Sequence, residues 1–450
     1  MKHNLLIRGA NVVTSTSASI ADLAVREGRI TALAPSLDVE AERILEAQGH
    51  YLLPGFIDAH VHFNEPGRTE WEGVATGSQA LAAGGGTLFI DMPLNSSPPV
   101  LDAAAFAAKA AVIAEKSVLD AAIWGGLTPD NQMNIKELAD CGVIGFKAFM
   151  SDSGIEEFPR TNGKFLLEGM KRAAELRLPV AVHAEDAKLT ADLTRQAIAE
   201  GRTGISDYLR ARPIEAELHA IGEAIDFARQ SGCALHVVHV SSRAGLELIA
   251  AAKQRGCDVT AETCPHYLLL DESDVERLGA VAKCAPPLRS AAEKANLRRA
   301  LADGLIDTIG SDHSPAPPDM KQSADFFKVW GGISGCQHAL PLAFEALVLE
   351  DKLSPVILAQ LTATNVARRF RLAAKGDLSV GGDADMVLLS PFSEHVIQSD
   401  DLLYRHRQSP YVGRTSRVAV VETWMRGETI APKKRSQKKH PAQILRPIPL

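Results

Sequence analysis

The middle of this chain alternates eight short apolar segments with helical stretches, and this alternation restricts the fold more than any other feature. Stretches rich in Ala, Glu, Leu and Lys separate most of the apolar segments. Eight buried strands that alternate with helices predict an α/β fold, a parallel (β/α)8 or TIM barrel. The predicted strands lie at 56–62, 87–92, 121–125, 144–149, 180–184, 235–240, 259–263 and 308–312.

Both ends of the chain have a different pattern. Short apolar or alternating runs occur before residue 53 and return at 385–389 and 417–421, with glycines and prolines between them. This pattern predicts strands, so we expect both ends to build one small β-sandwich domain. The predicted division is 1–53 and 371–430 for the sandwich, 54–370 for the barrel, and 431–450 for a basic, proline-containing tail exposed to solvent.

Composition excludes several classes of protein. Of the 450 residues, 46% are hydrophobic and 23% are charged, as in ordinary globular proteins. The net charge of −7 argues against a general nucleic-acid binder, and no apolar run reaches the roughly 20 residues of a membrane-spanning helix. The six cysteines form no Cys-X-X-Cys pair, which favours reduced thiols and predicts a cytoplasmic protein.

Polar residues with metal-binding chemistry fall at the carboxyl ends of the predicted strands. His60 and His62 are two residues apart, so in a strand both imidazoles face the same side. His183, His239 and Asp312 end three other strands. Each could be an ordinary buried residue, but together they predict a metal site, because barrel enzymes carry their chemistry at this end.

Lys147 is the unusual member of this set. It lies between Phe146 and Phe149, where an unpaired ammonium would be costly to bury. A desolvated lysine loses its proton more easily, and a neutral amine can react with carbon dioxide to give an anionic carbamate that could bridge two cations. Pairing with a nearby carboxylate is the alternative, and the spacing alone leaves both open.

Several motifs resemble those of the cyclic amidohydrolases of the amidohydrolase superfamily, and most closely those of the allantoinases. The resemblance covers nearly the whole chain and is carried by DAHVHFNEPGR at 58–68, GFKAF at 145–149, HVSS at 239–242, CPHY at 264–267, SDHSP at 311–315 and YVGR at 411–414.

The resemblance implies two divalent cations per subunit. His60, His62 and Asp312 would bind one, His183 and His239 the other, and Lys147 would bridge both as N6-carboxylysine. Zinc is the expected metal, with cobalt, manganese or iron as alternatives. The family also implies a homotetramer. The expected reaction is hydrolysis of allantoin to allantoate by a hydroxide shared between the metals, with Asp312 as general base and then acid.

Four single positions and one short segment bear on the substrate. Dihydroorotases typically carry Arg where this chain has Asn64, and hydantoinases place a Tyr shortly after the bridging lysine, where this chain has MSDSG at 150–154. Ala285 replaces a serine found in many relatives, and we expect Ala285, Gly332 and Ser314 to orient the substrate. A hydantoinase or dihydropyrimidinase is the main alternative; a dihydroorotase or a non-catalytic relative is less favoured.

Overall fold

A computed structural model describes residues 2–430 and 442–449, so the basic run at 433–440 lies outside the described residues. The strands are β1 His3–Val13, β2 Ala18–Arg26, β3 Arg29–Ala34, β4 Ala41–Glu46, β5 Tyr51–Pro54, β6 Phe56–Val61, β7 Gly86–Asp91, β8 Asp120–Ile123, β9 Gly125–Gly126, β10 Phe146–Phe149, β11 Val180–His183, β12 Leu235–Val237, β13 Val259–Thr263, β14 Thr308–Ile309, β15 Met386–Ser390, β16 His395–Val396, β17 Thr415–Ser416, β18 Ala419–Met425 and β19 Glu428–Thr429.

Helices follow most of the central strands. They are α1 Val74–Ala83, α2 Ala103–Lys116, α3 Ile135–Cys141, α4 Gly163–Glu175, α5 Ala187–Ala199, α6 Ile205–Arg210, α7 Ile214–Ser231, α8 Arg243–Gln254, α9 Pro265–Leu269, α10 Glu272–Leu278, α11 Ala291–Ala302, α12 Ala339–Phe344, α13 Pro355–Ala359 and α14 Asn365–Arg369. Side chains cap several of them: Asp102 accepts from the Ala105 amide at 2.8 Å, which satisfies a free donor of α2. No helix in the described ranges is long and apolar enough to cross a membrane.

Strands from both ends of the chain form one eight-stranded sheet, called here the terminal sheet. Its order is β19-β18-β15-β5-β1-β2-β3, and β4 pairs with β1. The two ends meet where β5 runs antiparallel to β15, with Leu53 opposite Val387. Alternate residues of β1 and β2 are buried in an apolar cluster with Trp424, so one face of this sheet has its own core.

The central strands are parallel, and each overlaps one of the eight segments predicted from the sequence, with β8 and β9 both overlapping 121–125. They form a three-stranded sheet, β6-β7-β8, and a six-stranded sheet, β14-β13-β12-β11-β10-β9. Every residue of β6 and β7 is buried. Such continuously buried strands are typical of parallel sheets covered on both faces, and α1 and α2 pack against β7 and β8.

Backbone contacts join the two parallel sheets at both edges. Trp124 alone separates β8 from β9, and its amide donates to Asp91 at 3.1 Å. At the other edge, Val61 of β6 forms a parallel bridge with His313, and the His62 amide donates to the His313 carbonyl at 2.8 Å. The carboxyl ends of β6 and β14 therefore lie side by side, as the predicted metal site requires.

Residues 442–449 pack against the opposite, amino-terminal side of the parallel strands. Ile444 forms a parallel bridge with Ala121, whose amide and carbonyl bond to Gln443 and Leu445 at 2.8 and 2.7 Å. Burial of these residues is only partial. The end of the segment predicted as a solvent-exposed tail thus adds a short strand-like contact to β8.

Candidate metal centre and substrate cavity

His60, His62 and Asp312 converge where β6 and β14 end. The Nε2 atoms of His60 and His62 lie 3.2 and 3.5 Å from the same carboxylate oxygen, Oδ1 of Asp312. One ligand atom from each residue lies within 4.8 Å of the others, so the three could hold a single cation. All three side chains are largely buried, which limits competition from water.

His183 and His239 form a second pair beside the first. His183 Nδ1 and His239 Nε2 are 3.0 Å apart, and the rings of His60 and His239 have centroids 5.5 Å apart. Burial lowers the pKa of both His183 and His239, so neutral imidazoles face each other. Neutral imidazole is the form that binds a cation, and these two nitrogens could share one.

Lys147 enters the same region from β10. Its side chain is completely buried, and its Nζ atom has no hydrogen-bond partner within the described residues. Burial lowers the pKa of Lys147 to about 7, although the negative charges of Asp312 and Glu262 oppose this shift. The carboxylate partner considered from the sequence is therefore absent from the described ranges, and the amine is poised to lose its proton.

The backbone at two of these residues has left-handed geometry. The φ angles are 42° at His239 and 47° at Asp312, a conformation that costs non-glycine residues roughly 1–3 kcal/mol. A buried carboxylate accepts a backbone hydrogen bond beside each of these two residues, after His239 and before Asp312. Glu217 accepts from the Ser241 amide at 2.7 Å, and Asp58 accepts from the Ser311 amide at 2.9 Å.

Glu262 orients His60. Its Oε1 lies 2.7 Å from His60 Nδ1, so His60 carries its proton on Nδ1 and leaves Nε2 free to face Asp312. Burial raises the pKa of Glu262, but His60 and His236 reverse this effect and lower it to about 2. Glu262 was missed by sequence reasoning, and its signal was that it is the single charged residue of strand β13.

Glu185 has the same function for His183. Its Oε2 lies 2.9 Å from His183 Nε2, which leaves Nδ1 facing His239. Arg212 donates to the same Glu185 oxygen. Burial raises the pKa of Glu185, but Arg212 and His183 lower it to about 2, so the carboxylate is ionised. Its position two residues after a strand-end histidine was the available signal.

A cavity of about 920 Å³ opens above these residues. His60, His62, His183, His239 and Asp312 line it, together with the three residues predicted to orient the substrate, Ala285, Gly332 and Ser314. Sequence reasoning missed other lining side chains, among them Asn95, Phe149 and Trp330. Lys147 is not among the lining residues, but its charge acts on His183 and His239.

Comparisons with known proteins agree with this geometry. The profile of the Amidohydrolase family matches residues 51–430. Allantoinase from Rubrobacter xylanophilus is 50% identical over 95% of this chain and 94% of its own, and allantoinase from Solibacter usitatus is 48% identical over 98% and 96%. The solved L-hydantoinase from Arthrobacter aurescens superposes with a TM-score of 0.93 at 31% identity, covering 98% of this chain and 97% of the other.

The identity to the two allantoinases exceeds that to the hydantoinase by 17 percentage points or more (48 − 31), over nearly full-length alignments. The predicted family is therefore confirmed. This chain belongs to the amidohydrolase family, in its allantoinase group, and is an enzyme that hydrolyses cyclic amides.

Proposed function

We propose that this enzyme opens the ring of allantoin by hydrolysing its cyclic amide, giving allantoate. Four histidines and one aspartate line a single cavity, and a buried lysine without a partner in the described residues lies in the same region; this arrangement carries the proposal. The names of the relatives at 48–50% identity support the choice of substrate. A hydantoinase acting on other cyclic ureides is the second candidate, because the fold matches a solved hydantoinase closely.

The residues present fit two divalent cations. His60, His62 and Asp312 would hold one, and His183 and His239 would hold the other. Imidazole and carboxylate suit zinc, with cobalt, manganese and iron as alternatives. When bound, such a pair of cations supplies a nucleophilic hydroxide at neutral pH and polarises the amide carbonyl.

Lys147 is proposed to be carboxylated, as N6-carboxylysine, and to bridge the two cation positions. Its amine is buried without a partner in the described residues, and its charge acts on His183 and His239, so an unmodified ammonium would repel a cation bound there. A pKa of about 7 leaves an appreciable neutral fraction able to attack carbon dioxide. The nitrogen bonds to the carbon while one C=O π bond opens and one N–H proton leaves to solvent. The product therefore carries a negative charge and two oxygens, which suits a buried site that holds cations.

Asp312 is proposed to move the proton. Burial raises its pKa, but His60 and His62 outweigh this effect and hold the pKa of Asp312 far below its usual range. The carboxylate is therefore ionised and can accept the proton of the attacking water. It then delivers that proton to the departing ring nitrogen, as general acid–base catalysis requires.

The position at which dihydroorotases typically carry arginine is uncharged in this chain. Asn64 is fully buried and donates to the Pro315 carbonyl at 3.4 Å, so it provides no charge for a substrate carboxylate. Ala285, Gly332 and Ser314 are proposed to orient allantoin, with Ala285 acting through its backbone. The stretch after Lys147 lines the cavity with Asp152, Ser153 and Gly154, without the tyrosine expected for a hydantoinase.

We further propose that β6–β14 close into a (β/α)8 barrel over 54–370, and that the terminal sheet is the sandwich domain of 1–53 and 371–430. The contacts between β6 and His313 and between β8 and β9 support closure. A homotetramer and a cytoplasmic location complete the proposal. The six cysteines are all free, which agrees with a reducing compartment.

A substrate panel tests the proposed function. Protein reconstituted with zinc, cobalt, manganese or iron would be assayed on allantoin, hydantoin, dihydrouracil and dihydroorotate. We expect the highest kcat/KM on allantoin by at least about a hundredfold, since groups of the site that bind the ureido substituent of allantoin would be left unpaired by the other substrates. A higher kcat/KM on hydantoin or dihydrouracil with every metal would replace allantoinase by the second candidate.

A further inference from the structure

One wall of the substrate cavity is a single continuous segment, residues 327–332, called here the wall segment. All six of its residues line the cavity. Trp330 packs edge-on against Trp71, with ring centroids 4.9 Å apart. A Cβ atom at Gly332 would lie 2.2 Å from the Ser314 carbonyl oxygen, so the segment fits closely against the strand-end loop that follows Asp312.

The wall segment has little regular structure of its own. Only a short 3-10 turn, Phe326–Lys328, enters it. Two of its backbone amides donate to carbonyls outside the segment. Trp330 donates to the Met320 carbonyl at 2.9 Å, and Gly332 donates to the Lys283 carbonyl at 2.8 Å. These contacts leave most of its carbonyl oxygens to be satisfied by other donors.

Two lysines supply those donors. Lys283 Nζ donates to the carbonyls of Phe326 at 2.6 Å and Phe327 at 3.4 Å, and also to Val329. Lys321 Nζ donates to Ala280 at 3.2 Å, and to Trp330 and Gly332 within the wall segment. An ammonium has three donors, so backbone oxygens satisfy each group completely.

Neither ammonium has an ordinary ionic partner. Across residues 2–430 and 442–449, no carboxylate lies within 4.0 Å of Lys283 or Lys321. Lys283 is only 4% exposed and lies 4.3 Å from the ring centroid of Tyr208, whose hydroxyl donates to the Cys284 carbonyl. Burial lowers the pKa of both Lys283 and Lys321 to about 7, so holding either amine protonated with backbone carbonyls alone is costly, and a plain structural loop would be better served by apolar residues.

We propose that Lys283 and Lys321 are positioning residues that hold the wall segment in the conformation that recognises the cyclic substrate. They act through the segment, so they set substrate binding more than turnover. Lys321 donates to the carbonyls of Trp330 and Gly332. Trp330 packs against Trp71, and Gly332 fits closely against Ser314. The inference rests on the proposed allantoin hydrolysis for its kinetic test.

Lys321→Met in the full-length, metal-loaded enzyme tests the inference. The methionine keeps the side-chain volume and removes all three donors. We expect KM for allantoin to rise about tenfold or more with kcat within about threefold, the result of losing charge-assisted bonds that shape binding. Metal content per chain should not change. Lys136→Met is the control, because Lys136 is exposed on α3 and should keep wild-type values.

Lys321→Arg is the second variant, and it keeps donors at this position. It should give a KM between those of wild type and Lys321→Met. Hydrogen exchange of the substrate-free protein should show faster exchange across residues 327–332 in Lys321→Met than in Lys136→Met. Unchanged KM and unchanged exchange in folded Lys321→Met would overturn the inference, as would parallel losses of kcat and metal. If the wild-type enzyme does not hydrolyse allantoin, the proposed function is wrong. The hydrogen-exchange comparison then tests the role of Lys321 in holding the wall segment independently of that function.

Discussion

The two halves of the proposed metal centre are built differently. In the first half, His60 and His62 meet the carboxylate of Asp312 at 3.2 and 3.5 Å, so charge and donors are present at once. In the second half, His183 Nδ1 and His239 Nε2 are 3.0 Å apart, and no carboxylate ligand accompanies them among the residues proposed to bind this cation. Lys147, whose amine has no hydrogen-bond partner in the described residues, would supply the missing anion after carboxylation. We expect the first half to bind a cation without any covalent modification, whereas the second half needs Lys147 to be converted into an anion.

This difference shows how one chain could control loading of two similar sites. Burial keeps the pKa of His62, His183 and His239 below the usual value, so these three imidazoles are neutral and ready to bind a cation at neutral pH. Only Lys147 must change chemically. Carbon dioxide would therefore be required for the second half and not for the first.

The largest effect is expected from Asp312→Asn, which changes the first half without changing its shape. An amide cannot accept the proton, so kcat should fall by roughly a thousandfold or more. His60 and His62 remain, so much of the metal should be retained. Steady-state kinetics and metal analysis on the same sample check this. Near-normal kcat in metal-replete protein would remove Asp312 from the proton-transfer step.

The second-largest effect is expected from Lys147→Ala, which changes the second half of the metal centre. We expect metal content to fall toward about one ion per chain and kcat to fall by about a hundredfold, since a bridging anion is lost. Added short carboxylic acids should restore part of both, because they supply an anion of the missing kind. Lys136→Ala, on the exposed face of α3, is the matched control. Two tightly bound metals in Lys147→Ala would contradict the bridging role.

Glu262→Gln and Glu185→Gln form a matched pair with a smaller effect. Glu262 orients His60, and Glu185 orients His183. Loss of such an orienting carboxylate typically weakens metal affinity by about 10–100-fold. Metal titration should show a weakened first site in Glu262→Gln and a weakened second site in Glu185→Gln. The same site weakened in both variants would mean that the halves are not independent.

The smallest effect concerns pH during reconstitution. Lys147 is protonated below its pKa of about 7 and neutral above it, and only the neutral amine attacks carbon dioxide. Activity recovered from metal-free protein in bicarbonate should therefore rise by severalfold as pH increases through about 7. Occupancy of the His60 half should change less over the same range. Recovery that falls with rising pH would count against carboxylation.

The two halves also differed in how far the sequence could predict them. His60 and His62 could be paired from local spacing, because alternate residues of a strand share a face. His183 and His239 required the strand-end argument, and their separation of 3.0 Å required the structure. The role of Lys147 came from resemblance, since spacing alone left two interpretations open.

Contacts between distant parts of the chain were beyond sequence reasoning. Glu262 lies 202 residues from His60, and nothing local indicates that the two side chains meet. The lysines that hold the wall segment bind backbone carbonyls, which have no residue-specific pattern. The packing of Ile444 on Ala121 likewise depends on backbone pairing. The order of the parallel strands, by contrast, was predicted because apolar segments and helices alternate along the chain.

Native mass spectrometry of active enzyme, purified in the presence of bicarbonate, tests the difference between the two halves most directly. We predict that the active species carries two divalent metals per chain and one added carbon dioxide, located on Lys147 by fragmentation. Removing carbon dioxide should lower metal content and activity together. A fully active species with two metals and an unmodified Lys147 would contradict the account.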